Sequence, residues 1–349
     1  MASHRGLALV AVTALAIATM APVNATRDMP PTGETRLTAK ERVRALTPAP
    51  GRLVRVPETP GRQHLWCRGR GAALAPTVVV ISGAGDYSLS WRQVQSRVAP
   101  TARICTYDRA GLGWSSASPR PRTGRVIVAE LTALLEAAGV TGPLVLAAHS
   151  MGGVYARMFA ARHLARVRGV VLIDPGDEHL DVGIGVAARE ALHQGVEMAA
   201  EGQIREGRVC ATGAYARNLH SLPLATVLPP ADARTDRRLQ AGWCRIWRTN
   251  AQEGRAAATT WAQARREQLG RGSLGSRPVS AVASDTAVAF VPDSDLNERI
   301  VANWRTWQYR QRLMSSRSRF MVARGSSHLV MLERPGLVAR QIAWVLRRA

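Results

Sequence analysis

Thr77-Val78-Val79-Val80-Ile81 shows no alternation of apolar and polar character, and the run stops at Gly83. A strand with one wet face alternates with period two, so a run that is apolar throughout must be covered on both faces. That requirement confines the chain to a layered architecture, a mostly parallel sheet with helices packed on either side.

Further runs of strand character recur at 53–56, 64–67, 103–107, 144–148, 170–173, 279–283 and 319–322, the first two reading as an opening hairpin. Helical patterns separate them. Thr123 stands where a cap belongs, followed by Ile127, Leu131, Leu134, Leu135 and Ala138 on one face. Residues 335–348 close the chain as a helix, with Leu337, Val338, Ile342, Val345 and Leu346 turned inward. These elements predict a core over 51–175 and 277–349. Residues 176–276 break the alternation: they are rich in Ala, Arg, Gln and Glu, carry Trp243, Trp247 and Trp261, and offer no strand. Such a stretch is too long for a loop and predicts a helical lid insertion.

The first 25 residues have the layout of a secretory signal peptide: His4 and Arg5, an apolar run over 7–20, then Val23-Asn24-Ala25, with cleavage expected after Ala25. Residues 26–50 hold Pro30, Pro31, Pro48 and Pro50 among polar residues, which predicts a flexible tether. The expected location is secreted or cell-envelope associated. Cys67, Cys105, Cys210 and Cys244 form an even set in no metal-binding spacing, and four cysteines allow three pairings. Cys210 and Cys244 both fall in the insertion, where helices could bring them together, and are the favoured pair.

The net charge of +22 invites a nucleic-acid reading, but Lys40 is the single lysine among 47 basic residues. The arginines are dispersed, with no basic block and no reader motif, so no nucleic-acid partner is expected. What the charge does imply is attraction to anionic envelope polymers or lipid headgroups.

Chemistry concentrates at Ala148-His149-Ser150-Met151-Gly152-Gly153, which joins a strand directly to a helix containing Tyr155, Met158 and Phe159. A serine on so tight a strand-to-helix turn is exposed as a nucleophile, and small residues two before and two after it relieve crowding. The following helix N-terminus turns N–H groups toward developing negative charge. A second donor belongs on another loop, and Ser82-Gly83-Ala84-Gly85 supplies one after the strand Thr77–Ile81. The backbone N–H groups of Ala84 and Met151 are the expected oxyanion donors. His328, in Gly325-Ser326-Ser327-His328-Leu329, lies between the last strand and the last helix, where a general base completes the chain order Ser, acid, His. His149 adjoins the serine, but neighbours on such a turn point apart; His179, His193 and His220 fall in the insertion.

With these segments go Pro76 to Ser90, the stretch Arg103-Ile104-Cys105-Thr106-Tyr107-Asp108-Arg109-Ala110-Gly111-Leu112-Gly113-Trp114-Ser115, Pro119 to Thr123 and Gly325 to Pro335. Together they resemble the α/β-hydrolase superfamily, in its AB hydrolase-1 branch, over most of residues 60–175 and 275–349. The resemblance implies the α/β-hydrolase fold with eight strands and a helical lid insertion. Two departures stand out: Ala148 replaces the usual first glycine of the elbow, and Ser82-Gly83 replaces the His-Gly found in many members. The family topology makes the strands of Cys67 and Cys105 neighbours, so a bridge there is geometrically allowed. Asp108-Arg109 reads as scaffold holding the loop 111–115.

For the acid, the commonest family position nominates Asp285, after 279–283. The alternative is Asp174, in Ile173-Asp174-Pro175, and members with a helix like Trp304-x-x-Trp307-Gln308 often lack the later acid; Asp174 is the expected partner of His328. The function implied is cleavage of a small-molecule carboxylic ester through an acyl-enzyme on Ser150, without metal or organic cofactor. A serine nucleophile argues against the dehalogenase and epoxide-hydrolase branches, which use aspartate there. An aminopeptidase, a cofactor-free haloperoxidase, or an envelope binding protein without turnover are the competing readings.

Overall fold

The structure, a computed structural model, describes residues 38–349 apart from 58–59, 72–74, 220–227, 268–269 and 287–289. The expected signal peptide, residues 26–37 of the expected tether, and His220 lie outside the described residues.

In chain order the elements are α1 (Ala39–Ala45), β1 (Arg52–Arg55), β2 (Arg62–Arg68), β3 (Thr77–Ile81), α2 (Arg92–Val98), β4 (Ile104–Tyr107), α3 (Gly124–Ala137), β5 (Leu144–His149), α4 (Met151–Arg162) and β6 (Val167–Ile173). The insertion follows as α5 (Val186–Ala211), α6 (Ala214–Arg217), α7 (Pro230–Gly242), α8 (Arg245–Arg255) and α9 (Ala257–Arg266). The chain then returns through β7 (Val279–Ser284), α10 (Ser294–Arg310), β8 (Ser318–Ala323), α11 (Val330–Glu333) and α12 (Pro335–Leu346).

The eight strands form one sheet in the order β1-β2-β4-β3-β5-β6-β7-β8. β2 is antiparallel to both β1 and β4, and every pairing from β4 to β8 is parallel. The unbroken apolar run in β3 now has its physical reason. Val79 and Ile81, with Leu144, Leu146 and Ala148 of β5, face a core shared with α3, α4 and the insertion. Val78, Val80, Val145 and Ala147 face the opposite layer, with Val94 and Val98 of α2 and Val338, Ile342 and Val345 of α12. Ile127, Leu131, Leu134 and Leu135 of α3 are buried as their spacing predicts. Thr123 occupies the N-cap position of α3, but its side chain makes no capping hydrogen bond.

The expected tether needs correcting where the structure describes it. Residues 38–50 carry a docked helix instead of a flexible segment. Thr38 and Glu41 close a capping box around the start of α1, satisfying two otherwise orphaned N–H groups. Val43 is buried against the insertion, and Lys40 Nζ and Arg44 Nε donate to the carbonyls of Ala211 (2.6 Å) and Gly242 (2.8 Å).

Both cysteine pairs are bonded. Cys67 and Cys105 sit opposite one another in the β2/β4 register, and Cys210–Cys244 ties the end of α5 to the residue before α8 across a separation of 34. Closing a loop of that length removes denatured-chain entropy worth about 3–4 kcal/mol. Cys210→Ser with Cys244→Ser is therefore expected to lower Tm by about 5 °C. Thermal unfolding followed by circular dichroism measures it, and an unchanged Tm would mean that the bridge contributes nothing. Among the described residues no helix is long and apolar enough to cross a membrane.

Candidate active site

Only Ser150 (φ 52°) and Asp174 (φ 40°) have positive φ among the described non-glycine residues. Each follows a parallel strand, β5 and β6, and each is the residue at which the chain turns sharply off the sheet. Left-handed backbone at such residues costs on the order of 1–3 kcal/mol and persists only where the surroundings enforce it. Here the ladder continues past the strand ends: the Ser150 N–H donates to Ile173 O (3.2 Å), and the Asp174 N–H to Val282 O (2.6 Å). The Ser150 carbonyl in turn accepts from Gly153 and Gly176, each at 2.8 Å. Gly152 is required by close approach: a Cβ there would overlap the carbonyl oxygens of Ile81 and Ser82.

His328 Nδ1 lies 2.6 Å from Asp174 Oδ2. A carboxylate can only accept, so Nδ1 carries a proton, and in the neutral ring it is Nε2 that has the lone pair. The other oxygen of Asp174 accepts from the Ser284 N–H (2.7 Å) and Gln308 Nε2 (2.9 Å). Burial would raise the carboxyl of Asp174, which is 1% exposed, but His328 and these two donors hold it below the ordinary aspartate value. Asp285 does not reach His328 in this way: it is exposed, and its Oδ2 accepts the Gly325 N–H at 2.8 Å, bracing the loop that leads to His328.

Ser150, His328, Ala84 and Met151 line one cavity of roughly 230 Å³. Met151 is the first residue of α4, so its N–H has no intrahelical acceptor. Leu180, Leu192, Val196, Trp261, Phe290 and Trp304 give most of the remaining wall an apolar character. Two carboxylates also border the cavity, Asp177 and Glu253. Asp177 lies 3.7 Å from Arg157, and Glu253 Oε1 lies 2.7 Å from Arg109 Nε. Burial works against the charge on each, yet the neighbouring arginine keeps both below the ordinary carboxylate value.

Three of these features were not read from the sequence. His149 is buried with its ring 4.4 Å from that of His328, and its Nε2–H donates to the His328 carbonyl at 2.8 Å. Burial, and then the proximity of His328, push its pKa down to about 3, so it is a neutral anchor for the His328 loop. Trp304 packs edge-on against His328 and donates through Nε1 to Pro175 O at 2.7 Å. Glu253 comes from the insertion, where composition offered no pointer to it. The expectation for Asp108-Arg109 is half right. Asp108 does hold the loop 111–115, accepting the Trp114 N–H at 2.9 Å. Arg109 turns instead to the loop after β3, donating to Ser82 O (2.7 Å) and Gly83 O (2.5 Å).

The sequence model described as "Alpha/beta hydrolase family" matches residues 78–341. An uncharacterized protein of Schizosaccharomyces pombe is 34% identical over 154 residues, which cover 37% of this chain and 29% of that protein. The chain spans well under half the length of the curated relatives it matches, 39% in a Bacillus subtilis case and 18% in one from Hormonema carpetanum. Among solved structures, Cfl2 from Burkholderia cenocepacia superposes with a TM-score of 0.59 at 23% identity, covering 85% of this chain and 95% of that one. A thermophilic esterase from Thermogutta terrifontis gives 0.56 at 20% identity, covering 86% and 98%. At such identities the likeness is one of fold.

Proposed function

The chain belongs to the alpha/beta hydrolase family, and on that footing we propose that it is a serine hydrolase that cleaves small, largely apolar carboxylic esters. The observation that carries this reading is the Asp174–His328 contact of 2.6 Å on the wall of the cavity that Ser150 also lines. In the proposed reaction Ser150 Oγ adds to the ester carbonyl carbon while His328 Nε2 takes its proton. The N–H groups of Ala84 and Met151 bind the oxyanion. Collapse expels the alcohol, which takes the proton back from His328 and leaves an acyl group on Ser150. A water molecule then repeats the sequence to release the acid. Asp174 keeps the tautomer of His328 and stabilises its cation throughout.

The chemistry of the cavity favours a neutral substrate. Glu253 is paired with the buried Arg109, and Asp177, which shares Arg157 with Glu178, also accepts from Gln311 Nε2 (3.1 Å) and the His179 N–H (2.9 Å), so the oxygens that an ammonium group of a peptide N-terminus would need are already engaged. Export belongs to the same proposal and is supported by the two disulfides, which persist in oxidising compartments.

A fluorophosphonate probe is expected to label the protein, with the modified peptide mapping to Ser150, and p-nitrophenyl butyrate is expected to be hydrolysed. Absence of both would leave a hydrolase-like binding protein without turnover.

A further inference from the structure

Glu253 sits on α8 of the insertion, far in sequence from the oxyanion loop, and is 1% exposed. Its Oε1 lies 2.7 Å from Arg109 Nε; its Oε2 accepts from Arg109 Nη2 at 2.8 Å and from the Gly85 N–H at 3.2 Å. The same guanidinium donates to the carbonyls of Ser82 and Gly83. One ion pair therefore grips three consecutive peptide groups: that of residues 82–83 by its carbonyl, that of 83–84 by its carbonyl, and that of 84–85 by its N–H.

The middle grip is the one that bears on chemistry. The Gly83 carbonyl and the Ala84 N–H belong to the same planar trans peptide and point in opposite directions. Fixing the carbonyl on Arg109 therefore fixes where the Ala84 N–H aims, and Ala84 lines the cavity beside Ser150. A charge-assisted bond to that carbonyl also polarises the amide and makes its N–H a stronger donor. Arg109 cannot hold this position alone. It is 2% exposed, and its charge is matched in the site by Glu253.

We propose that Glu253 is a positioning residue through which the helical insertion, by way of Arg109, sets the oxyanion donor at Ala84. The proposal rests on the serine-hydrolase reading above. Lid and catalytic loop then form one unit: the insertion shapes the cavity and also completes the electrostatics of the core beneath it.

Glu253→Gln is nearly isosteric but replaces one acceptor oxygen with a donor facing Arg109 or Gly85. An oxyanion interaction acts in the transition state and little in the ground state. The expected result is a fall in kcat of about 10–100-fold, less than the loss on deleting a donor outright, with KM within about twofold. Affinity for an aliphatic trifluoromethyl ketone, to which Ser150 adds to form a tetrahedral oxyanion, should fall by the same factor as kcat. Glu253→Asp, which keeps the carboxylate, should recover part of both. Arg109→Lys is the independent second variant: one ammonium cannot reach both carbonyls and the carboxylate, and the same pattern is expected. Circular dichroism identifies whichever variant is folded, and that one decides. A raised KM with unchanged kcat would make Glu253 a substrate contact and overturn the proposal. So would kcat and ketone affinity that both stay at the wild-type level. Wild-type protein that fluorophosphonate fails to label would overturn the hydrolase reading instead, and that is read before any variant is made.

Discussion

Ser150→Ala is expected to lower kcat for ester hydrolysis by about 10⁶-fold, the scale on which removal of a serine nucleophile acts when base and oxyanion donors remain. The protein should stay folded. The contacts that hold the elbow are backbone ones, Ser150 N–H to Ile173 O and Ser150 O from Gly153 and Gly176, and none involves the hydroxyl. Alanine bears the positive φ no better and no worse than serine, because both carry a Cβ. Steady-state kinetics with a p-nitrophenyl ester, alongside near-UV circular dichroism, measure both halves. Turnover above about one per cent of wild type in a folded variant would remove Ser150 from the mechanism.

Asp174→Asn should cost about 10⁴-fold in kcat, as loss of the equivalent charge does in a serine triad. The surrounding hydrogen bonds give this chain its own reason for the loss. Ser284 N–H and Gln308 Nε2 both donate to one side of the Asp174 carboxylate. An asparagine must turn its oxygen toward those two donors, which leaves its NH₂ facing His328 Nδ1. His328 then has to present a lone pair at Nδ1 and carry its proton on Nε2, where it cannot accept one from Ser150. Asp285→Asn keeps an acceptor for the Gly325 N–H, so its loss should stay below about tenfold. Comparison of kcat for the two variants is the measurement. The reverse ranking would assign the acid to Asp285.

Over residues 38–50, where a docked helix stands in place of the expected tether, a local signal for that helix was present. Thr38-Ala39-Lys40-Glu41 has the spacing of a capping box, and the structure forms both of its hydrogen bonds. The prolines around it and the lack of apolar periodicity pointed the other way, because α1 is so short that Val43 is its one buried residue. Its stability comes from the insertion it docks on, through Lys40 and Arg44, and a contact to Ala211 or Gly242 leaves no trace in the local sequence.

The sequence by itself determined the architecture and the sharp turn at Ser150. Unbroken apolar runs such as Thr77–Ile81 can only be buried on both faces, and a serine between the end of β5 and the start of α4, with glycines following, can only be a tight turn. Those are local constraints, written within a few consecutive residues. The choice between Asp174 and Asp285 was tertiary. Both follow parallel strands, and what separates them is that Ser284, Gln308 and His328, from three distant elements, converge on Asp174 alone. The same holds for Glu253, which composition could not tell from any other glutamate of the insertion. Its meaning comes from folding α8 over the loop after β3, where a buried guanidinium must find its counter-charge.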